Sequence, residues 1–147
     1  MSVLVDTSVW VDHFRSGNAA LAHLVGSDLA LTHPLVLVEL ACGTPPSPRE
    51  HTLGSLSLLR TCNQATLDEV RELIEREKLY GLGCGFVDMA LLASTLITPG
   101  ARLWTLDRRL SELAQRFKVA HGILKPDMDQ LGLQGLGPVE YRLASTA

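Results

Sequence analysis

A short apolar run that ends in a carboxylate, close to the N-terminus, constrains the fold of this chain most strongly. Val3, Leu4 and Val5 form the pattern of a short buried strand. Asp6 stands where the apolar run stops, and an apolar-periodic segment at residues 9–14 follows. Ligands of open α/β sheets bind at the carboxyl ends of the strands. The pattern therefore predicts a strand, an acid at its functional end and the start of a helix.

Strand and helix patterns alternate along the rest of the chain. Apolar segments predict further strands at residues 29–32 and 102–106, with residues 119–120 as a last short strand. Helices with turn or cap residues at their ends are predicted at residues 19–25, 34–42, 48–59, 66–80, 86–97 and 108–117. This alternation is typical of an α/β fold with a central, mostly parallel sheet flanked by helices.

Length and composition indicate one domain in a reducing compartment. The 147 residues are 46% hydrophobic, which suffices for a full core. We expect a single domain over residues 1–147, with a core to about residue 125 and a tail at residues 126–147. No apolar run approaches the roughly 18 residues of a membrane span, and no basic leader pattern opens the chain. The cysteines have no CxxC spacing, so we expect neither a disulfide framework nor a zinc site, and a cytoplasmic protein.

Four carboxylates stand at positions that favour chemistry: Asp6, Glu39, Asp88 and Asp107. The three aspartates each have a structural alternative. Asp6 and Asp107 would cap the helices that follow them, and Asp88 would interact with the dipole of its own helix from the first turn. Taken singly, each aspartate leaves both interpretations open.

Glu39 is unusual because it lies within an otherwise apolar helix at residues 35–41. We therefore predict that Glu39 is buried. An unpaired buried carboxylate costs several kcal/mol, so Glu39 must be protonated, paired with a cation or bound to a metal. A salt bridge to an arginine is the structural alternative.

Together the acids predict a metal site. Asp6 and Asp107 both follow strands, whose carboxyl ends share one edge of a parallel sheet, and Asp88 opens a buried helix that would start at that edge. Converging carboxylates repel one another unless a cation neutralises them. Oxygen ligands without histidine or cysteine suit Mg²⁺ or Mn²⁺, which activates water for attack on a phosphodiester.

The same stretches resemble a known family. Residues 5–10 (VDTSVW), 39–43 (ELACG), 85–93 (GFVDMALLA) and 103–110 (LWTLDRRL) are similar to those of PIN domains, and within them to the VapC toxins of bacterial type II toxin–antitoxin systems. The match extends to about residue 119. No single motif is specific, because an acid after a strand is common, but four acids in the family's order make the resemblance strong.

This resemblance implies a PIN-like fold and a Mg²⁺-dependent endoribonuclease, with Mn²⁺ as a plausible substitute. Asp6 and Asp88 would be the principal metal ligands, and Glu39 and Asp107 would complete the catalytic acids. Hydroxyl groups that would position these carboxylates belong to Thr7, Ser8 and Thr105. The resemblance also implies an RNA substrate, a homodimer, and a VapB-type antitoxin whose C-terminal segment covers the pocket.

A basic segment accompanies the last acid. Residues 102–125 carry a local excess of four positive charges, and Arg108 and Arg109 directly follow Asp107. Our hypothesis is that these two arginines contact phosphates of the RNA. The alternative is a solvated helix face with no such role.

Three other functions compete with this interpretation. A haloacid-dehalogenase-like phosphotransferase would want a second aspartate where Ser8 stands, and a receiver domain would want paired acids at the first strand. A non-catalytic PIN-like module that binds RNA or protein is the remaining alternative. Retention of all four acids argues against it.

Overall fold

The computed structural model describes residues 1–122, so the predicted tail at residues 126–147 lies outside the described part. Four parallel strands form one sheet in the order β3-β2-β1-β4. Its strands are β1 (Ser2–Val5), β2 (Ala30–Thr32), β3 (Arg60–Thr61) and β4 (Ala101–Trp104). An isolated parallel bridge joins Leu103 to Ala120 at the outer side of β4. The predicted α/β class with a parallel sheet is confirmed.

Seven helices fill the connections between and after these strands within the described residues. They are α1 (Thr7–Ser16), α2 (Ala19–Gly26), α3 (Pro34–Cys42), α4 (Arg49–Leu56), α5 (Leu67–Glu77), α6 (Phe86–Leu96) and α7 (Arg108–Arg116). Helix α1 packs against α3, while α6 packs against α5, α7 and β4. None of these helices is both long and apolar enough to cross a bilayer in the described chain.

The core is built around β1 and α6. Val3, Leu4 and Val5 are fully buried, as expected for a central strand with neighbours on both edges. Helix α6 buries seven consecutive residues at positions 89–95, which confirms the prediction of a buried helix from its nearly continuous apolar surface. Trp10 and Trp104 are also buried, at 4% and 1% exposure, so both belong to the core.

Several boundaries differ from the sequence prediction, and the strand predicted at residues 119–120 is only the isolated bridge of Ala120 to Leu103. Strand β3 was missed because it has only two residues, both exposed, and no apolar pattern; it pairs with β2 through Arg60 and Thr61. The predicted strand at residues 102–106 ends at Trp104, because the Leu106 N–H donates to the Ser8 hydroxyl instead of a neighbouring strand. The helix predicted at residues 48–59 ends at Leu56.

Truncation of Leu91 tests the importance of α6 for the core. Leu91 is fully buried, so Leu91→Ala should lower the free energy of unfolding by about 2–5 kcal/mol through lost burial and a residual cavity. Leu58→Ala is the matched control, because Leu58 is 85% exposed and its truncation should change stability by less than about 0.5 kcal/mol. Urea unfolding of both variants measures the difference, and equal effects would contradict the assigned core.

Candidate active site

Asp6 is held by hydroxyl groups at the carboxyl edge of the sheet. It follows β1 directly, caps α1 and is 6% exposed. Its Oδ2 accepts hydrogen bonds from Ser8 Oγ at 2.6 Å and from Thr105 Oγ1 at 2.8 Å, and a longer one from the Ser8 N–H at 3.4 Å. Within residues 1–122 no donor is assigned to Oδ1. One carboxylate oxygen therefore anchors the side chain and the other is left for a ligand.

The same two hydroxyls connect the ends of β1 and β4. Ser8 Oγ accepts a hydrogen bond from the Leu106 N–H at 3.0 Å, and Thr105 Oγ1 accepts one from the Asp107 N–H at 3.0 Å. Each hydroxyl thus donates to Asp6 and accepts from the turn between β4 and α7. This arrangement fixes that turn, and with it Asp107, relative to Asp6.

Asp107 has the structural role that the sequence left open. Its Oδ1 accepts a hydrogen bond from the Leu110 N–H at 2.9 Å and caps α7. Its side chain is otherwise exposed at the sheet edge. The cap uses one oxygen, so a cap and a role in an acidic pocket are compatible for Asp107, as they are for Asp6.

The pKa of Asp88 is affected by the charges of the other three acids. It lies in the first turn of α6, where its Oδ2 accepts a hydrogen bond from the Gly85 N–H at 3.3 Å. Burial raises the pKa of Asp88, and the negative charges of Asp6, Asp107 and Glu39 raise it further, against the opposing effect of the Gly85 N–H. The other three predicted acids therefore lie within electrostatic reach of Asp88.

Glu39 corrects the prediction of a buried carboxylate. Helix α3 buries Val36 and Leu40, one turn apart, and exposes Glu39. The apolar composition of α3 suggested burial all round, but the exposed positions include Val38 as well. Thr7 Oγ1 donates a hydrogen bond to Glu39 Oε1 at 2.5 Å, which joins α1 to α3. In residues 1–122 Glu39 has no ion pair with an arginine.

The acids are suited to a cation that keeps much of its water. Among residues 1–122 no group of three or more Asp, Glu, His or Cys side chains is placed to hold a metal ion together. Mg²⁺ is usually bound by only one or two carboxylates with waters and substrate phosphates completing its shell. Asp6 has one carboxylate oxygen without a hydrogen-bond donor among residues 1–122, and burial and neighbouring acids raise the pKa of Asp88. Both are carboxylates of the kind that this mode of binding uses.

The two predicted RNA-binding arginines differ in their contacts. Arg108 forms an ion pair with Glu112 on the same helix at 3.2 Å, and its side chain is 91% exposed. Arg109 donates a hydrogen bond to the carbonyl oxygen of Gly83 at 3.4 Å. No sequence pattern indicated this contact, because the glycine-rich segment at residues 81–85 predicted only a flexible break.

Comparison with known proteins adds a close relative. Over 118 residues the chain is 45% identical to Ribonuclease VapC32 of Mycobacterium tuberculosis, in both strain CDC 1551 / Oshkosh and strain H37Rv. The match covers 80% of this chain and 94% of the relative. The chain belongs to the VapC family. A scan against family models gives no match.

Membership of the VapC family confirms three of the predictions. It confirms the resemblance to VapC toxins, the PIN-like α/β fold that the parallel sheet displays, and the assignment to ribonuclease toxins of toxin–antitoxin systems.

The raised pKa of Asp88 leads to a stability prediction. Because folding raises this pKa above its ordinary 3.8, protonated Asp88 favours the fold, and that contribution is lost as pH rises through the raised value. In metal-free protein near pH 7, Asp88→Asn should raise the melting temperature by about 1–3 °C, and the gain should vanish near pH 3. Calorimetry at both pH values measures it.

Asp68→Asn provides the control for this measurement. Asp68 is an exposed acid in the first turn of α5, where its charge favours the helix dipole. Its removal should leave the melting temperature unchanged or lower it slightly. A loss of stability in Asp88→Asn similar to that in Asp68→Asn would contradict the electrostatic crowding of Asp88.

Proposed function

We propose that this chain is a Mg²⁺-dependent endoribonuclease toxin, for which Mn²⁺ can substitute, and that a VapB-type antitoxin inhibits it. One observation carries the proposal. The four carboxylates belong to four different elements, and the charges of Asp6, Glu39 and Asp107 act on Asp88 near the carboxyl edge of a parallel sheet. The chain that carries them is 45% identical to Ribonuclease VapC32. Such an arrangement destabilises the protein unless a cation or a basic partner enters it.

Asp6 and Asp88 are the proposed metal ligands. A bound Mg²⁺ would supply a Lewis acid that makes a water nucleophilic and neutralises charge on the scissile phosphate. Asp6 would offer its Oδ1, since Oδ2 is occupied by the Ser8 and Thr105 hydroxyls. Glu39 and Asp107 would complete the pocket by accepting hydrogen bonds from waters or by binding a second ion. The expected products carry a 5′-phosphate and a 3′-hydroxyl.

Three hydroxyls are the proposed positioning groups. Ser8 and Thr105 hold the Asp6 carboxylate by two short hydrogen bonds, so its free oxygen keeps one direction. Thr7 holds Glu39, which is otherwise exposed and free to change rotamer. These contacts reduce the side-chain entropy that the acids would lose on binding a cation.

Arg108 and Arg109 are proposed to bind RNA phosphates beside the acids. Both lie in the first turn of α7, directly after Asp107. Arg108 is largely exposed, and its exposed ion pair with Glu112 is weak enough to exchange for a phosphate. Arg116, which belongs to the same basic segment, pairs instead with Glu77. Lys125 lies outside the described residues.

The proposed partners follow the family. The name VapC32 of the relative implies RNA as substrate and a VapB antitoxin as inhibitor, and we extend both to this chain. A basic side chain of the antitoxin would neutralise the acids in place of a metal. We also propose a cytoplasmic homodimer. The non-catalytic PIN-like module is the less favoured alternative, because it would carry the electrostatic cost of the acids without using them.

RNA cleavage tests the proposal. On induced expression in a bacterial host, the wild-type protein should arrest growth and create discrete new 5′ RNA ends, which sequencing of 5′ ends would map. Asp88→Asn should lower cleavage by at least about 100-fold, since it removes a metal ligand. Asp68→Asn, an acid outside the pocket, should cleave like the wild type. With purified protein, a chelator should abolish cleavage and Mg²⁺ should restore it.

Chelator-resistant cleavage, or Asp88→Asn cleaving at the wild-type rate, would contradict the metal-dependent mechanism. Binding of RNA by soluble wild-type protein without any cleavage at saturating Mg²⁺ would favour the binding module instead.

A further inference from the structure

The side chain of Arg109 lies against the backbone of Gly83. Its guanidinium donates to the Gly83 carbonyl oxygen at 3.4 Å. A Cβ placed on Gly83 would lie 2.6 Å from Arg109 Nη1 and 2.8 Å from Arg109 Cζ, closer than a Cβ approaches any atom in real structures. The arginine therefore occupies the space that a side chain at position 83 would need.

Gly83 also has a backbone conformation that other residues avoid. Its φ is +84°, in the left-handed region that favours glycine. The conformation therefore favours glycine at position 83, and the Arg109 side chain fills the space beside it. The arginine thus packs directly on the backbone of the loop at residues 81–85.

This contact joins the two helix starts that carry the acids of the pocket. Arg109 lies two residues after Asp107, at the start of α7. Gly83 lies two residues before Gly85, whose N–H donates to Asp88 at the start of α6. The Arg109–Gly83 contact therefore links the loop before Asp88 directly to the start of α7. Thr105 fixes the turn before α7 relative to Asp6.

The positive charge of Arg109 also affects the pKa of Cys84, which lies in the same loop. Burial raises the pKa of the Cys84 thiol, and the negative charges of Asp88 and Asp107 raise it further, while Arg109 acts in the opposite direction. Cys84 lies between Gly83 and Gly85, so this effect agrees with the placement of the guanidinium over the loop.

We propose that Arg109 is a positioning residue, which holds the loop at residues 81–85 so that Asp88 is set at the correct place to bind a divalent cation together with Asp6. The proposal deepens the proposed function and rests on it. Arg109 would have this positioning role in the RNA-free protein. A contact to Gly83 uses one or two of the five guanidinium N–H donors, so Arg109 retains donors for a phosphate.

Arg108 supplies the matched control. It belongs to the same helical turn and carries the same charge, but its side chain is 91% exposed and pairs with Glu112. Arg108→Ala therefore removes one positive charge near the acids and leaves the contact with Gly83 intact. Since less positive charge near an anionic site favours cation binding, Arg108→Ala should leave Mn²⁺ affinity unchanged or slightly higher.

Arg109→Ala should have the opposite effect. Mn²⁺ titration of the full-length protein without RNA, followed by electron paramagnetic resonance, should show a dissociation constant raised by about tenfold, the lower end of the range for residues that orient metal ligands. Gly83→Ala, which disrupts the same contact from the loop side, should also weaken Mn²⁺ binding. In cleavage assays both variants should need more Mg²⁺ for half-maximal rate.

Hydrogen exchange of metal-free protein provides a second measurement. Amides at residues 81–88 should exchange faster in Arg109→Ala than in the wild type, and Arg108→Ala should exchange like the wild type. Arg109→Ala that binds Mn²⁺ as tightly as Arg108→Ala, with unchanged exchange in the loop, would overturn the positioning role. If instead the wild type binds no Mn²⁺ and cleaves no RNA, the proposed function fails, whereas the exchange data still decide whether Arg109 holds the loop.

Discussion

The candidate site depends on one carboxylate oxygen, Oδ2 of Asp6, which receives two hydroxyl hydrogen bonds from different strand ends. Ser8 belongs to the first turn of α1, which follows β1, and Thr105 to the turn after β4. Because β1 and β4 are adjacent and parallel, their carboxyl ends lie side by side. The two hydroxyls then hold the Asp6 carboxylate in one position at these ends. Backbone N–H groups of Leu106 and Asp107 complete the same hydrogen-bond network. The sheet thus determines where Asp6 points as well as where it lies.

The negative charge of Asp88 costs the protein stability in the absence of a cation. Burial and three like charges raise the pKa of Asp88, and within residues 1–122 none of the four acids pairs with lysine or arginine. The nearby arginines bind elsewhere, Arg108 to Glu112 and Arg109 to the Gly83 carbonyl. A structural cluster would be expected to neutralise its charges internally. Uncompensated acids are instead typical of a site that receives its positive charge from a metal or a partner.

Much of this architecture could be predicted from the sequence because it depends on local patterns. Apolar runs located β1 and α6, and the position of each aspartate relative to its strand or helix placed Asp6 and Asp107 near Asp88, on whose pKa both act. The exposure of Glu39 could not be predicted, because which side of a short apolar helix faces solvent depends on its packing against other elements. Strand β3 exists only through pairing with β2, and its two exposed residues carry no signal of their own.

The long-range contacts were also beyond prediction. Thr7 to Glu39 and Arg109 to Gly83 join residues far apart in the chain through side-chain geometry alone. The glycine-rich segment before α6 suggested a break, and only the structure shows that Gly83 has a positive φ and a close arginine. Such contacts determine how the acids are held in place. The sequence indicates only which acids are expected to lie near one another.

Anomalous diffraction from crystals grown with Mn²⁺ would test the central claim most directly. We expect a peak at about 2.0–2.3 Å from the Asp6 oxygen that Ser8 and Thr105 leave free, with Asp88 as the other side-chain ligand directly or through water. Crystals of Asp88→Asn under the same conditions should show a weaker peak or none. A Mn²⁺ ion bound elsewhere, or an acidic pocket without a peak at saturating Mn²⁺ in a form that cleaves RNA, would contradict the account.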